Sequence, residues 1–193
     1  MINRVKEILI APKKEWVTIE GENTSHAKLF MGYVLPLSLI PAIAIFIGYG
    51  LVGYRVLGMY VHSVEWGIRQ AVVQWVAIAG GIYVTAFIVN YLADHFGAKK
   101  DFDKSFSLVA YAYTPSCIGG IFYILPSLSW LAGLAGLYGL YLLYIGLQPM
   151  MKAPAEKNTS YFIVSLVVTI IVMVVISAIM GAILLSGGYG YFR

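Results

Sequence analysis

The sequence predicts an all-α, polytopic membrane protein: a bundle of five transmembrane helices preceded by a short amphipathic interfacial helix at residues 2–11. Three observations lead there. Hydrophobic residues make up 60% of the 193 residues and charged residues only 11%, against roughly 25% charged in a soluble domain, so too little charge is present to cover a water-facing surface. The apolar runs reach about 20 residues, the length a helix needs to cross roughly 30 Å of hydrocarbon. Short alternating segments of about ten residues, the mark of barrel strands, are not evident, and helices are the other way to satisfy every backbone group in lipid. A single integral membrane domain over residues 1–193 is expected.

Residues 3–10 read as the amphipathic helix, with Asn3 as its cap. Val5, Ile8 and Leu9 fall on one face and Arg4, Lys6 and Glu7 on the others. Ala11-Pro12 ends it, and Trp16 and Ile19 follow among Lys13, Lys14 and Glu15. Two placements fit this pattern equally: flat on an anionic membrane surface, or packed beneath the bundle. The polar start is not followed by a short apolar region and a small-residue cleavage site, so no cleavable signal peptide is expected.

Span one covers about 29–52 and contains Pro36 and Pro41, which remove backbone hydrogen bonds and kink it. A loop, 53–69, carries Arg55, His62, Glu65, Trp66 and Arg69. Span two covers about 70–93, with Gln70, Gln74, Gly81 and Thr85 close to one stripe. That stripe suits a polar lining, or a helix-packing face, and the packing face is the reading favoured. Loop two, 94–104, is the most charged. Its Asp94, His95, Asp101 and Asp103 lack a recognised metal-ligand spacing, so a solvated flank is preferred to a metal site. Asp103 is the expected cap of span three.

Residues 105–151 hold no Asp, Glu, Lys, Arg or His. The stretch is too long for one crossing, and Leu125-Pro126-Ser127 divides it into span three, 106–125, and span four, 128–149, as an antiparallel hairpin. In span four, Ala132 with Gly136 and Ala135 with Gly139 are small-xxx-small pairs, and with Gly133 they form the expected packing face. Tyr111, Tyr113, Thr114 and Pro115 of span three, and Tyr141 and Tyr144 of span four, fall in the same half of the membrane. They are expected to face one another as the candidate partner or ligand site. Span five, 161–185, is rich in Val and Ile, with only Ser165, Thr169 and Ser177 as polar content, and reads as an outer, lipid-facing helix. The tail 187–193 is aromatic and interfacial.

Of the 13 Lys and Arg residues, 10 lie before span one, in loop two or in the loop after span four. Arg55, Arg69 and Arg193 lie on the other side. The positive-inside rule then puts the N-terminus in the cytoplasm and the C-terminus outside. The net charge of +4 follows from these flanking residues, so it signals topology, and no nucleic-acid partner is expected. The single cysteine, Cys117, lies within a span and excludes an intrachain disulfide.

The order of several short pieces resembles the Ypt/Rab-interacting-protein (YIP) domain family, in its bacterial inner-membrane branch. The pieces are Pro12-x-x-x-Trp16-x-x-Ile19, Tyr33-Val34-Leu35-Pro36-Leu37 with Ile40-Pro41-Ala42-Ile43-Ala44 and Phe46-Ile47-Gly48, Ala110-Tyr111-Ala112-Tyr113-Thr114-Pro115, Leu125-Pro126, and Tyr141-Leu142-Leu143-Tyr144-Ile145-Gly146-Leu147. The resemblance implies five spans, a cytoplasmic N-terminus and the inner (cytoplasmic) membrane. Eukaryotic relatives are associated with Rab GTPases and vesicle traffic. About 28 residues precede span one here, so a counterpart of their long cytoplasmic region is not expected, and the acidic-Leu-Tyr-Gly-Pro signature has only Gly32-Tyr33 near Pro36 as an approximate counterpart.

The function expected from these readings is that of a membrane interaction, scaffold or membrane-organisation factor. Its partners are the lipid bilayer and a second copy or other membrane proteins. The alternative is a transporter or channel for a neutral or apolar small solute or an ion. No ionisable residue lies in the middle of a span, which weighs against ion-coupled transport. Enzymatic activity is not expected: the three histidines, His26, His62 and His95, sit in loops or at helix ends, and no phosphate-binding glycine loop precedes a helix. Neither a cofactor nor a metal is expected.

Overall fold

Proline, which has no N–H to lose in a first helical turn, starts a helix the sequence reading left out. In the computed structural model, which describes residues 2–56 and 59–188, helix α1 (Ile2–Ile10) is followed at once by helix α2 (Pro12–Glu20). Asn3 lies within α1 and does not cap it. The apolar residues Ile8, Trp16 and Ile19 are 0%, 1% and 2% exposed, so their face is covered by protein and not by a bilayer surface. The covering elements are spans three and four. Gly146 of span four leaves room for the indole: a Cβ there would stand 2.7 Å from Cε2 of Trp16. The Tyr138 hydroxyl donates to the Leu9 carbonyl at 2.8 Å. Of the two placements that fitted the sequence, packing beneath the bundle holds for the apolar face.

Span one runs His26–Val52 and is entered through Ser25, whose hydroxyl accepts from the Lys28 N–H. Its helix widens into π turns at Phe30–Val34 and Phe46–Val52. The first of these directly precedes Pro36: the Leu35 N–H bonds to the Phe30 carbonyl, five residues back. A π turn absorbs the missing proline donor without breaking the helix. Pro41 lies inside the helix against Gly120, where a Cβ would stand 2.4 Å from the proline Cβ. Span one ends at Gly53, whose φ of 79° favours glycine.

The expected loop 53–69 is partly structured. Strands β1 (Tyr54–Val56) and β2 (Met59–Val61) pair antiparallel, Tyr54 opposite Val61. Span two then begins early, as helix Val64–Leu92, because Ser63 caps it by accepting from the Trp66 N–H. Glu65, Trp66 and Arg69 are therefore helical.

Span three, Phe102–Ile124, is the hub: 61% of its most apolar window is buried, against 11% in span five. Its cap is Asp101, which accepts from the Lys104 N–H at 3.1 Å. Asp103, the expected cap, instead accepts from the backbone N–H of His26 and meets His26 Nδ1, both at 2.7 Å. The helix stops at Ala112, breaks at Tyr113 and resumes at Thr114–Gly119. After the turn at Pro126, span four runs Trp130–Met151 and span five Ala155–Gly188. Span five exposes Val167, Ile170, Ile171 and Val174, and buries Tyr161 and Ser165. Its Tyr161 hydroxyl donates to the Val89 carbonyl of span two. Residues 189–193, the greater part of the expected interfacial tail, lie outside the described residues.

Polar ties gather the N-terminal segment, loop two and the loop after span four at one end of the bundle. The Lys104 ammonium donates to the carbonyls of Glu20 and Glu22, and Lys152 pairs with the Glu20 carboxylate at 2.5 Å. The Lys99 N–H donates to the Met151 carbonyl at 2.7 Å. The Glu20 carboxyl is held below its usual range by the hydrogen bond from Lys152 and its positive charge.

Candidate functional site

A helix break inside a membrane leaves backbone groups and small polar side chains to be satisfied by neighbouring helices. The break at Tyr113 does this with Thr114, which is 0% exposed and shares a 2.7 Å hydrogen bond with the Tyr33 hydroxyl of span one. Tyr111 is buried one turn earlier, edge-on to Tyr33 (4.9 Å between centroids) and to Trp16 (6.4 Å). The Arg4 guanidinium lies 5.7 Å from its ring centre. Arg4 also pairs with Glu15 and Glu22. Burial pulls the Arg4 guanidinium down, but Glu22, Tyr111 and Glu15 outweigh it and hold it above its ordinary value. Pro115 is buried in the first turn of the resumed helix. Tyr113 is half-buried, with its hydroxyl toward Gly81 and Thr85 of span two. Tyr111, Tyr113, Thr114 and Pro115 thus form the junction of spans one, two and three with the N-terminal helices.

Tyr141 and Tyr144 do not join that junction, which corrects the expectation that the two tyrosine sets face each other. Both are partly exposed, at 44% and 37%. Tyr141 stacks on Tyr138, and Tyr144 packs against Phe162 and meets the Thr159 hydroxyl at 3.2 Å. The buried face of span four is instead Gly139, Leu142, Leu143, Gly146, Leu147 and Met150. Tyr141 and Tyr144 fall outside this stripe, as a 3.6-residue period requires.

The small residues of span four divide by direction. Ala132 is buried, and nearby Ala135 fits because its partner is Gly119, where a Cβ would stand 2.3 Å from the Ala135 Cβ. Gly139 lies against the backbone of span three, its Cβ position 2.7 Å from the Ala112 carbonyl oxygen. Gly136 has room: the nearest atom to its Cβ position is Ser116 Oγ at 3.8 Å. Gly133 has nothing within 4 Å and faces outward. Between spans three and four a cleft of about 270 Å³ opens, lined by Ala112, Tyr113, Ser116, Gly136, Gly139 and Leu140 among others.

The stripe of span two also divides. Gln70 and Gln74 line a second cleft of about 270 Å³ with Tyr49 and Tyr123. Thr85 and Gly81 pack inward, toward Tyr113 and span five. The acidic side chains of loop two are engaged: Asp94 pairs with Lys100 at 3.5 Å, Asp101 caps span three, and Asp103 holds His26. Among the described residues no three His, Cys, Asp or Glu side chains are grouped to hold a metal ion.

Sequence reasoning missed Tyr33, Trp16 and the His26–Asp103 pair. Tyr33 had a signal, a polar-tipped aromatic within an apolar run that needs a buried partner. His26 and Asp103 are 77 residues apart, and nothing local joins them. The Asp103 carboxylate takes both the backbone N–H and Nδ1 of His26, so the pair ties the start of span one to span three.

The family model described as the Yip1 domain matches residues 6–179, from within α1 to within span five. Comparison with curated proteins and with solved structures finds no match. With the match covering most of its length, this integral membrane chain belongs to the Yip1 domain family.

Proposed function

We propose that this membrane protein is an interaction or membrane-organising factor that docks a helix of a second copy of itself on the face between spans three and four. One observation carries this reading: Gly136 floors an open cleft and Gly133 lies bare beside it, with Leu137 exposed next to Gly133. Small residues let helix backbones approach closely in lipid, where packing and not hydrophobicity drives association. At the basic end the space among spans one, two and three is filled by the Tyr33–Thr114 bond and by Phe30, Tyr83 and Phe106, with ring centroids 4.7 Å apart for the last two, whereas the cleft lined by Gln70, Gln74, Tyr49 and Tyr123 opens among the same spans. The role is binding and not catalysis, since the His26–Asp103 pair is spent on joining two spans.

The N-terminus is assigned to the cytoplasm and the protein to the inner membrane. The orientation rests on the basic residues of the N-terminal segment, loop two and the loop after span four, which share one end of the bundle. The choice of membrane rests on the sequence resemblance described above. The decisive experiment is self-association in detergent and lipid nanodiscs. Gly136→Leu fills the cleft and lowers it; an unchanged, strictly monomeric protein overturns the reading. Gly139→Leu is not a clean test, because Gly139 already touches Ala112.

A second reading, passage of a small neutral solute, is favoured by the hydroxyls of Ser165 and Thr169, buried without a hydrogen-bond partner on span five. Reconstituted vesicles with no flux across a panel of small solutes would exclude it.

A further inference from the structure

Span one widens into π turns twice, and only the first has a proline to account for it. The second, Phe46–Val52, ends at Gly53, whose N–H bonds to the Gly48 carbonyl at 2.7 Å, five residues back. A π turn inside a helix often marks a functional site, and this one places Tyr49 along the cleft of about 270 Å³ at the end of the bundle opposite the basic residues. Span two adds Gln70, Val73 and Gln74 to the cleft, and span three adds Tyr123. Glycine contacts fix the three backbones beside it. A Cβ at Gly48 would stand 1.9 Å from the Tyr123 carbonyl oxygen, and one at Gly67 would stand 2.6 Å from the Cα of Gly50. The polar side chains are therefore carried on rigid elements and not on loops. Gln70, Gln74, Tyr49 and Tyr123 are all half-buried, so an occupant of the cleft reaches them. Among the described residues no hydrogen bond engages either glutamine amide. The helix of span two carries its last charge at Arg69, so Gln70 opens the uncharged run and Gln74 lies about 6 Å further in, by the 1.5 Å rise per residue. An amide at that level without a partner costs stability, and the cleft is where a partner from outside the chain can meet it.

The lining also selects the chemistry of that partner. None of the residues around the cleft is charged, so an ion finds no counter-charge there. A primary amide presents N–H donors and a carbonyl acceptor side by side, and two neighbouring hydroxyls meet it with one acceptor and one donor. Gln70 and Gln74 are four residues apart on one helix face, with roughly 5–6 Å between their Cβ atoms, so they read two such hydroxyl pairs at once. Tyr49 and Tyr123 supply hydroxyls that donate or accept, and ring surface for the C–H faces of a ligand. We propose that this cleft binds a neutral polyhydroxyl group of the size of one sugar ring, carried on a lipid or free in solution. The site lies apart from the cleft between spans three and four and does not depend on it, and binding here requires no passage across the membrane.

The test is native mass spectrometry of the full chain in a polyoxyethylene detergent, which brings no sugar of its own. The probes are monoglucosyl dioleoylglycerol, dioleoylglycerol and methyl glucoside. One glucosyl lipid binds per chain, about tenfold more tightly than dioleoylglycerol, the scale of one hydrogen-bonded pair lost from a half-buried site. Displacement of the glucosyl lipid by methyl glucoside at equal concentration assigns the site to a free sugar, and its persistence assigns the site to a lipid-linked one; either result upholds the polyhydroxyl chemistry. Gln70→Leu and Gln74→Leu each weaken sugar binding by about tenfold. Each also leaves the thermal unfolding midpoint unchanged or raises it, because no bond within the chain is lost. Three results overturn the proposal: equal affinity for the two lipids with no binding of methyl glucoside, undiminished sugar binding in both variants, or a lowered unfolding midpoint in both, which would assign the amides to packing.

Discussion

The hydroxyls of Tyr33 and Thr114 meet at 2.7 Å where both side chains are closed to solvent. Thr114 is the second residue after the last α-helical residue before the break, Ala112, so the bond fastens span one to the discontinuity of span three. Tyr33→Phe leaves Thr114 without its partner and is expected to cost about 1 kcal/mol, the usual range for such bonds in membranes being roughly 0.6–2 kcal/mol. A double-mutant cycle with Thr114→Val, followed by denaturant unfolding in micelles, measures the coupling. Additive losses would show that the two hydroxyls act independently.

Close helix approach places a second constraint. A Cβ at Gly48 would stand 1.9 Å from the Tyr123 carbonyl oxygen, whereas nothing lies within 4 Å of one at Gly133. Gly48→Ala must therefore push spans one and three apart and is expected to destabilise by about 1–3 kcal/mol. Gly133→Ala is expected to be neutral or stabilising by up to about 1 kcal/mol, since alanine is the better helix former. Thermal unfolding of the two variants side by side separates packing glycines from exposed ones.

The N-terminal helices are held partly by charge. The Glu20 carboxyl is kept below its ordinary value by Lys152, so the folded state favours the ionised form. The contribution of the pair is complete above the ordinary carboxylate range and is lost as pH falls through the lowered folded value. Limited proteolysis between pH 7 and acid is expected to release α1 and α2 progressively, and Lys152→Met to flatten that part of the profile. An identical acid profile in the variant would remove the pair from the account of docking.

Orientation is open to direct labelling. In a Cys117→Ala background, Lys99→Cys is expected to react with a membrane-impermeant maleimide only after the cells are opened, and Glu65→Cys to react in intact cells. Both positions are exposed. The reverse pattern would invert the assigned topology.

The five spans were legible because their length and apolarity have no other explanation, and the Pro126 turn because proline interrupts a run that contains no charge. Other features were not. Ile8, Trp16 and Ile19 form the same apolar face whether lipid or protein covers it, so their burial required the neighbours. Asp101 and Asp103 are both acidic and two residues apart, and only the position of His26 assigns the cap to Asp101. Span four is apolar on every side, so its rotation was free; glycine contacts to Ala112 and Trp16 set it, and in doing so turned Tyr141 and Tyr144 away from the junction. The polar stripe of span two followed helical spacing but met two different neighbours, a cleft at Gln70 and Gln74 and a packed core at Thr85.

The central claim is that a second helix docks on the face that Gly133 and Gly136 leave open. Intermolecular disulfide formation at Gly133→Cys, in native membranes and a Cys117→Ala background, tests it most directly. A dimer of this chain is expected on mild oxidation and is expected to disappear when Gly136→Leu is added. A chain that stays monomeric under oxidation, or a dimer indifferent to Gly136→Leu, would contradict it.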